Sequence, residues 1–463
     1  MSFYRSGDMQ TIIEKLREAT AGTGYEGRLY LVGGIVRDRI LQRPPCDDID
    51  IVLEGDAAEL AAFLFDINLA KQPPITYPRF GTAGINVGSA QVEIVGARRE
   101  SYGHASRKPS TEPATLYDDV LRRDFTINTL LENLHTGEIL DLTGKAHSDI
   151  RDRIIRTPLD PLVTFNDDPL RMLRAIRFAA RLGFDIDEQT WRAICEMSHR
   201  INIVSAERIR GEFVKIIMDE DATGGLEMLR ESGLLEKFAP ELAAMYGVGQ
   251  NVYHLCDVWK HSLKTLESIP PQQGLVMRLT ALLHDVGKVR TRTEDVPGEV
   301  HFYRHEEVGA QIAEQLLKRL TFSNAQAEEV AFLISMHLRV GSYNEEWSDA
   351  AMRRLIRDAG EHLDDLITIA QADSTAAKTT TDQSALASFR SRLAQVKEKL
   401  RGKTIESPLS GAEIMDALGL EESPKIGEAK KYLEEQIVQG NLLPGDKVKG
   451  LQLLLKAEQF GLK

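Results

Sequence analysis

The sequence predicts an α+β chain of several domains. An N-terminal head mixing a sheet with helices is followed by an all-α neck, a histidine-rich helical domain and a helical tail. Three observations predict this. At 463 residues the chain is too long for one hydrophobic core, so two to four domains are expected. Between residues 26 and 155 short apolar alternations mix with helical spacing, whereas from about residue 160 the spacing is almost wholly helical. Pro158 and Pro161 mark the change. Further breaks fall at YGVGQNV (246–252) and at the polar AKTTTDQSA that begins at residue 377. The expected parts are residues 1–160, 161–246, 247–385 and 386–463.

Bulk composition excludes several classes. With 42% hydrophobic and 27% charged residues the chain reads as an ordinary soluble protein. No apolar run approaches the ~20 residues of a membrane helix, and MSFYRSGDMQ lacks the apolar core of a signal peptide. The three cysteines, Cys46, Cys195 and Cys256, show neither a disulfide framework nor zinc spacing, so a reducing cytoplasm is expected. The net charge of −13 argues against a nucleic-acid binder that uses its whole surface. A local basic groove remains open.

Residues 1–25 read as a helix and a loop. The stretch LVGGIVRDRILQRPPCDDIDIVLEGD (31–56) reads as strand, glycine turn, helix, loop, strand. Asp48 and Asp50 lie two apart on the second strand, so both carboxylates point to one face. Beside them, Gly33-Gly34 lets backbone N–H groups approach a phosphate. Two carboxylates on a rigid strand suit paired Mg²⁺ ions in a phosphoryl displacement. Residues 84–95 read as a hairpin turning at Gly88-Ser89. Glu93 interrupts its apolar alternation, where a buried carboxylate needs a partner or a metal, and is the natural third ligand.

Residues 97–131 begin as a polar mobile loop rich in Arg, Ser and Pro. They end in a helix or strand carrying Arg122, Arg123, Asp124 and Asn128. Adjacent arginines suit the several anionic oxygens of a triphosphate, and an asparagine amide suits a ribose hydroxyl. In residues 165–184 a helix starts near Asp167, with Pro169 in its first turn. At 100° per residue Arg171, Arg174, Arg177 and Arg181 share about 120° of arc, with Met172, Leu173, Ile176 and Ala180 opposite. Such a stripe can line a nucleotide or RNA-backbone groove.

These segments, together with VEIVGARRESY, DDVLRRDFTIN and NDDPLRMLRAIRFAARLGF, resemble the bacterial tRNA nucleotidyltransferases, or CCA-adding enzymes, and their poly(A) polymerase relatives. The resemblance implies a polymerase-β-like head with two Mg²⁺, held by Asp48 and Asp50 with Glu93 completing the triad. It implies that Gly33, Gly34, Arg37 and Asp38 frame the triphosphate and that Arg123, Asp124 and Asn128 contact ribose and phosphate. Asp168 and Arg171 correspond to the Asp and Arg of the family's Glu-Asp-x-x-Arg, which stand in for a template base toward CTP or ATP. Asp167 takes the place of the usual Glu. The partners implied are tRNA, CTP and ATP, for a monomer or homodimer away from membranes. Addition of CC only, of A only, or of poly(A) stays open: the loop ESYGHASRKPSTEPATLYDD departs from the Arg-rich, strand-like form common in complete CCA-adding enzymes.

Six of the eleven histidines fall between residues 254 and 337. His261, His284 with Asp285, His305, His337 and then Asp373 sit on apolar helical backgrounds where an unpaired ionisable group is costly. Imidazole with carboxylate suits Mn²⁺, Fe²⁺, Ni²⁺ or Mg²⁺. The order resembles an HD-type metal phosphohydrolase, including Gly287-Lys288. That implies one or two divalent transition-metal or Mg²⁺ ions, with His254 and His301 as neighbours rather than ligands. A chain whose main activity is this hydrolysis is the alternative reading. In the tail, turns at Gly411, Gly419 and Gly440 suggest a small helical bundle. SPKIGEAKKYL resembles the family's tRNA-contacting segment, with Lys425 and Gly427 at a helix start able to meet a phosphate.

Overall fold

The computed structural model describes residues 6–44, 48–88, 90–101, 110–250, 256–296, 299–377, 381–400 and 402–457. Two compact units divide the chain, Met1–Phe238 and Ala239–Lys463.

In the first unit, helix Ser6–Thr20 precedes the sheet and buries Met9, Ile12, Ile13 and Leu16. The strands of the main sheet are β1 (Leu29–Val32), β2 (Ile49–Leu53), β3 (Ile75–Tyr77), β4 (Thr82–Val87) and β5 (Ala90–Gly96). After a separate ribbon of β6 (Arg98–Ser101) and β7 (Ser110–Pro113), β8 (Leu131–Asn133) and β9 (Ile139–Leu140) complete it. The spatial order is β3-β4-β5-β2-β1-β8-β9. Only β2 and β5 pair in parallel within this sheet; the other neighbours are antiparallel. Ile49, Ile51, Val52 and Leu53 are buried, which anchors β2 in the middle of the sheet.

Two local expectations need correction. The mobile loop expected after residue 97 has ordered flanks: β6 and β7 pair from Arg98–Pro113 to Ser101–Ser110, and Ala114 N–H donates to the Ala97 carbonyl at 2.9 Å. Antiparallel pairing satisfies backbone groups even where the side chains are polar. Residues 102–109 lie outside the described residues. The helix expected from Asp167 is in fact two, Pro161–Asp167 and Leu170–Leu182, with Asp168 extended between them at φ −141°, ψ 98°. Asp168 precedes Pro169, whose ring disfavours the helical region for the residue before it.

The second unit is mostly helical. Helices Val258–Glu267, Leu275–Leu283, His305–Arg319, Asn324–Gly341 and Leu363–Ala377 form its core. An unexpected hairpin, Arg292–Val296 with Glu299–Phe302, interrupts them. Its β-branched residues at Thr293, Val296 and Val300 favour a pleated ribbon. The tail contributes helices Gly411–Leu418, Pro424–Gln439 and Lys447–Lys456. Gly419 and Gly440 close the first two in left-handed conformations, φ 62° and 83°, as turns require. Gly411, expected in a turn, instead opens its helix behind the capping residue Ser410. No helix among the described residues is long and apolar enough to cross a membrane.

Candidate active site and metal centre

Asp50 on β2 and Glu93 on β5 are direct register partners. Partners on adjacent strands point to the same face, so the two carboxylates stand side by side. Asp48 is exposed immediately before β2. Gly33 turns the chain toward them at φ 80°, and a Cβ there would lie 3.5 Å from Asp50 Oδ2. Burial raises the Asp50 carboxyl, Glu93 and Asp48 push the same way, and Arg123 opposes them; the result is about 6. Converging carboxylates that resist ionising together are the donor set a divalent cation relieves.

Beside this face lies a web of paired charges. Arg37 and Asp38 are buried, and Arg37 donates through Nε to Asp38 and through Nη1 to Asn128 Oδ1, both at 2.7 Å. Asn128 Nδ2 donates to Asp124 Oδ1 at 2.9 Å, and Arg174 grips Asp124 Oδ2 through Nε at 2.8 Å and Nη2 at 2.5 Å. Burial alone would raise the Asp124 carboxyl, yet Arg174 and Asn128 hold it well below the usual range. Arg37, Asp38 and Asn128 thus brace the glycine turn from inside.

Asp119, which sequence reasoning did not single out, organises the two arginines. It is fully buried and accepts from Arg122 at 2.9 and 2.6 Å and from Arg123 at 3.2 and 2.9 Å. An acid three and four residues ahead of adjacent arginines on a helix end was the available signal. Arg171 donates to the carbonyl of Arg122 at 2.6 Å and to that of Thr164 at 3.5 Å. With Arg122, Arg123, Asp124, Asp168, Leu170, Arg174 and Arg208 it lines a cleft of about 250 Å³.

Arg177 is placed differently from the groove position its spacing suggested. It is buried, bonded to Glu212 at 2.5 Å, and its guanidinium lies 4.1 Å over the Phe178 ring. Of the stripe, Arg181 is exposed, while Met172, Leu173, Ile176 and Ala180 are buried as their spacing required.

In the second unit two triads form: His261, His284 and Asp373; and Asp285, His305 and His337. Within each, one ligand atom per residue lies within 4.8 Å of the others. Asp285 joins them, its Oδ1 3.3 Å from His305 Nε2 and its Oδ2 3.3 Å from His284 Nε2. His261 Nε2 lies 2.8 Å from Asp373 Oδ1. Nδ1 of His284, His305 and His337 faces the backbone carbonyls of Ala281, Phe302 and Ile334 at 2.9, 2.9 and 2.6 Å. An N–H donated there leaves Nε2 as a lone-pair donor turned inward. The Nε2 atoms of His284 and His305 are buried without a hydrogen-bond partner. Burial lowers His284 but Asp285 and Asp373 push it up to about 10, and burial with His284 drives His337 down to about 4. Buried Asp285 and half-buried Asp373 thus draw positive charge into the cluster, and the donor set fits a divalent ion. His301 stacks on Tyr303 instead, and His254 lies outside the described residues.

Gly287 makes the cluster possible. A Cβ there would lie 2.0 Å from the His305 carbonyl oxygen and 2.7 Å from Gly309 N. Gly287→Ala should destabilise this unit by about 3 kcal/mol, the upper range for overpacking. Calorimetry should show its melting roughly 6–12 °C lower.

Known proteins place these sites in context. A model of the poly(A) polymerase head domain matches residues 29–156. One described as "Probable RNA and SrmB-binding site of polymerase A" matches 183–246, and an HD domain model matches 251–378. An A-adding tRNA nucleotidyltransferase of Deinococcus radiodurans is 33% identical over 339 residues, covering 70% of this chain and 75% of that one. A CC-adding tRNA nucleotidyltransferase of Thermus thermophilus is 31% identical over 429 residues, 89% and 90% of the two chains. This chain belongs to the tRNA nucleotidyltransferase family. It is a transferase with an HD domain attached. The nucleotidyltransferase shares its fold with the Bacillus stearothermophilus CCA-adding enzyme solved in complex with CTP. That likeness has a TM-score of 0.67 at 21% identity and covers 97% and 98% of the two chains.

Proposed function

We propose that this nucleotidyltransferase adds C and A residues to the 3′ end of tRNA from CTP and ATP. In this reading residues 1–160 are the head, 161–246 the neck, 247–385 the HD domain and 386–463 a tail that contacts tRNA. The observation that carries it is the pairing of Asp50 with Glu93 beside the Gly33 turn. Asp48, Asp50 and Glu93 would hold Mg²⁺, which when bound lowers the barrier by neutralising charge on the reacting oxygens. Gly33 and Gly34 admit the phosphates close to the backbone. Arg123, fixed by Asp119, supplies positive charge beside Asp50 for the triphosphate. Asp124 and Arg174 keep the wall of the cleft in place. Asp168 accepts from the exocyclic amine of C or A, and Arg171 donates to the adjacent ring nitrogen. The tRNA 3′ hydroxyl attacks the α-phosphate and pyrophosphate leaves.

The test uses tRNAs ending at the discriminator base, at C and at CC, each with CTP, ATP or both. Growth of the first to CCA supports a complete enzyme. Arrest at CC, or A added only to the third, assigns one half of a divided pathway, and no extension of any substrate overturns the proposal. Arg171→Ala should cost CTP-over-UTP selection about 10-fold or more, while triphosphate affinity changes less. Unchanged selection would remove Arg171 from base reading.

The HD cluster favours a second activity, hydrolysis of phosphoesters on RNA or nucleotides with Mg²⁺ or a divalent transition metal. The inward Nε2 atoms of His284 and His305 support it.

A further inference from the structure

Asp168 is gripped from a helix that the sequence motifs leave out. Arg208, on Ala206–Ile217, donates Nη1 to Oδ1 at 3.2 Å and Nη2 to Oδ2 at 2.8 Å. These are two parallel bonds, one to each carboxylate oxygen, from a residue 40 positions away. The backbone at Asp168 is extended between two helices, so no helix turn fixes this side chain. Its carboxylate also accepts from Leu170 N–H through Oδ1 at 3.2 Å, a neutral donor beside the charged fork. Arg208 and Arg171 both line the cleft with Asp168.

We infer that Arg208 is a specificity-determining positioning residue: its fork locks the Asp168 carboxylate in the one orientation that accepts C and A and rejects U and G. The inference rests on the base-reading role of Asp168 and Arg171 proposed above. Cytosine presents an amine donor beside a ring-nitrogen acceptor, and adenine presents the same order. Uracil and guanine present a carbonyl acceptor beside a ring N–H donor, the reverse order. A carboxylate opposite the amine and a guanidinium opposite the ring nitrogen therefore read the order of donor and acceptor. This works only if the two groups stay put. A carboxylate free to turn can reach the ring N–H of uracil or guanine, and the mismatch then costs less. A bidentate fork uses one lone pair on each oxygen and fixes the carboxylate plane; Leu170 N–H takes a second position on Oδ1, which leaves Oδ2 to accept from a base amine. Arg208 is half-exposed and Asp168 mostly covered, so Arg208 acts from the rim of the cleft.

The experiment measures single-nucleotide addition to tRNA with CTP, UTP, ATP and GTP separately, on the full-length protein. Compared are the wild type, Arg208→Ala, Arg208→Lys, Asp168→Ala and the double variant Asp168→Ala with Arg208→Ala. Arg208→Ala should raise the UTP:CTP and GTP:ATP efficiency ratios roughly tenfold or more, through better use of UTP and GTP together with a higher KM for the correct nucleotide. Arg208→Lys, a point charge without the fork, should fall between. The double variant should discriminate no worse than Asp168→Ala alone, because Arg208 acts through Asp168. Melting temperatures within about 2 °C of wild type, the size expected for a surface substitution, separate lost positioning from lost fold. Unchanged ratios in Arg208→Ala overturn the inference. So does a double variant worse than Asp168→Ala, which makes Arg208 a direct base contact. A wild type that extends no tRNA overturns the proposed function, and this inference with it.

Discussion

Replacing Asp48 and Asp50 together by alanine should lower nucleotide addition to tRNA by about 10³-fold or more, the loss expected when several kcal/mol of metal-borne charge stabilisation disappear. The phosphoester hydrolysis proposed for the HD cluster should be unchanged in the same preparation. The size follows from the position of the residues. Asp50 stands beside Glu93 on a buried central strand, and Asp48 adds a third carboxylate at its entry. Burial and these neighbours push Asp50 up to about 6, so the site pays for keeping carboxylates close together. Removing two of the three takes away the acids and also their mutual repulsion. The variant should therefore melt no lower than the wild type while losing activity. Primer extension and calorimetry on one sample check both halves. A double variant that still extends tRNA at wild-type rate would place the chemistry elsewhere.

His284→Ala with Asp285→Ala should do the reverse. Bound divalent metal in the second unit, measured by elemental analysis, should fall below one tenth of wild type. Phosphoester hydrolysis should fall with it, while nucleotide addition stays within about twofold, as for independent sites. The double variant is more informative than either single one. Asp285 is buried and held well below the usual carboxylate range against burial, by His284 and by Lys288, whose Nζ lies 2.7 Å away. Removing His284 alone would take one positive partner from that buried carboxylate and leave it to Lys288 and His305, which destabilises the cluster. Lost hydrolysis could then be lost folding. Taking out both leaves Lys288 bonded to Gln250 Oε1 at 2.8 Å, so its charge keeps a hydrogen bond. Metal retained by the double variant would mean that the two triads do not depend on Asp285 as their shared member.

Much of this was legible in residue order. The two-residue spacing of Asp48 and Asp50 predicted a shared strand face, but β2 begins at Ile49, so Asp48 lies just before the strand and only Asp50 takes its direction from strand alternation. The glycine pair before them determined a turn, and Gly33 adopts the left-handed region there. The apolar positions Met172, Leu173, Ile176 and Ala180 determined which side of their helix is buried. The histidine order brought His261, His284, Asp285, His305, His337 and Asp373 forward as one set, and the structure gathers them into adjoining triads. These are consequences of local geometry, which periodicity records directly.

What only the tertiary structure decided is which charges meet. Spacing put Arg171, Arg174, Arg177 and Arg181 on one stripe but could not say what faces it. Packing gives each arginine of the stripe a different setting. Arg174 meets Asp124, Arg177 meets Glu212, Arg171 meets the Arg122 carbonyl, and Arg181 is exposed. Likewise Asp50 faces Glu93 because β5 lies parallel to β2, and Asp168 faces Arg208 because the helix Ala206–Ile217 lies beside the cleft. A buried ion needs a partner wherever the chain can bring one. The partner is chosen by how helices and strands pack, over separations of 35 to 50 residues in these pairs that no local period encodes.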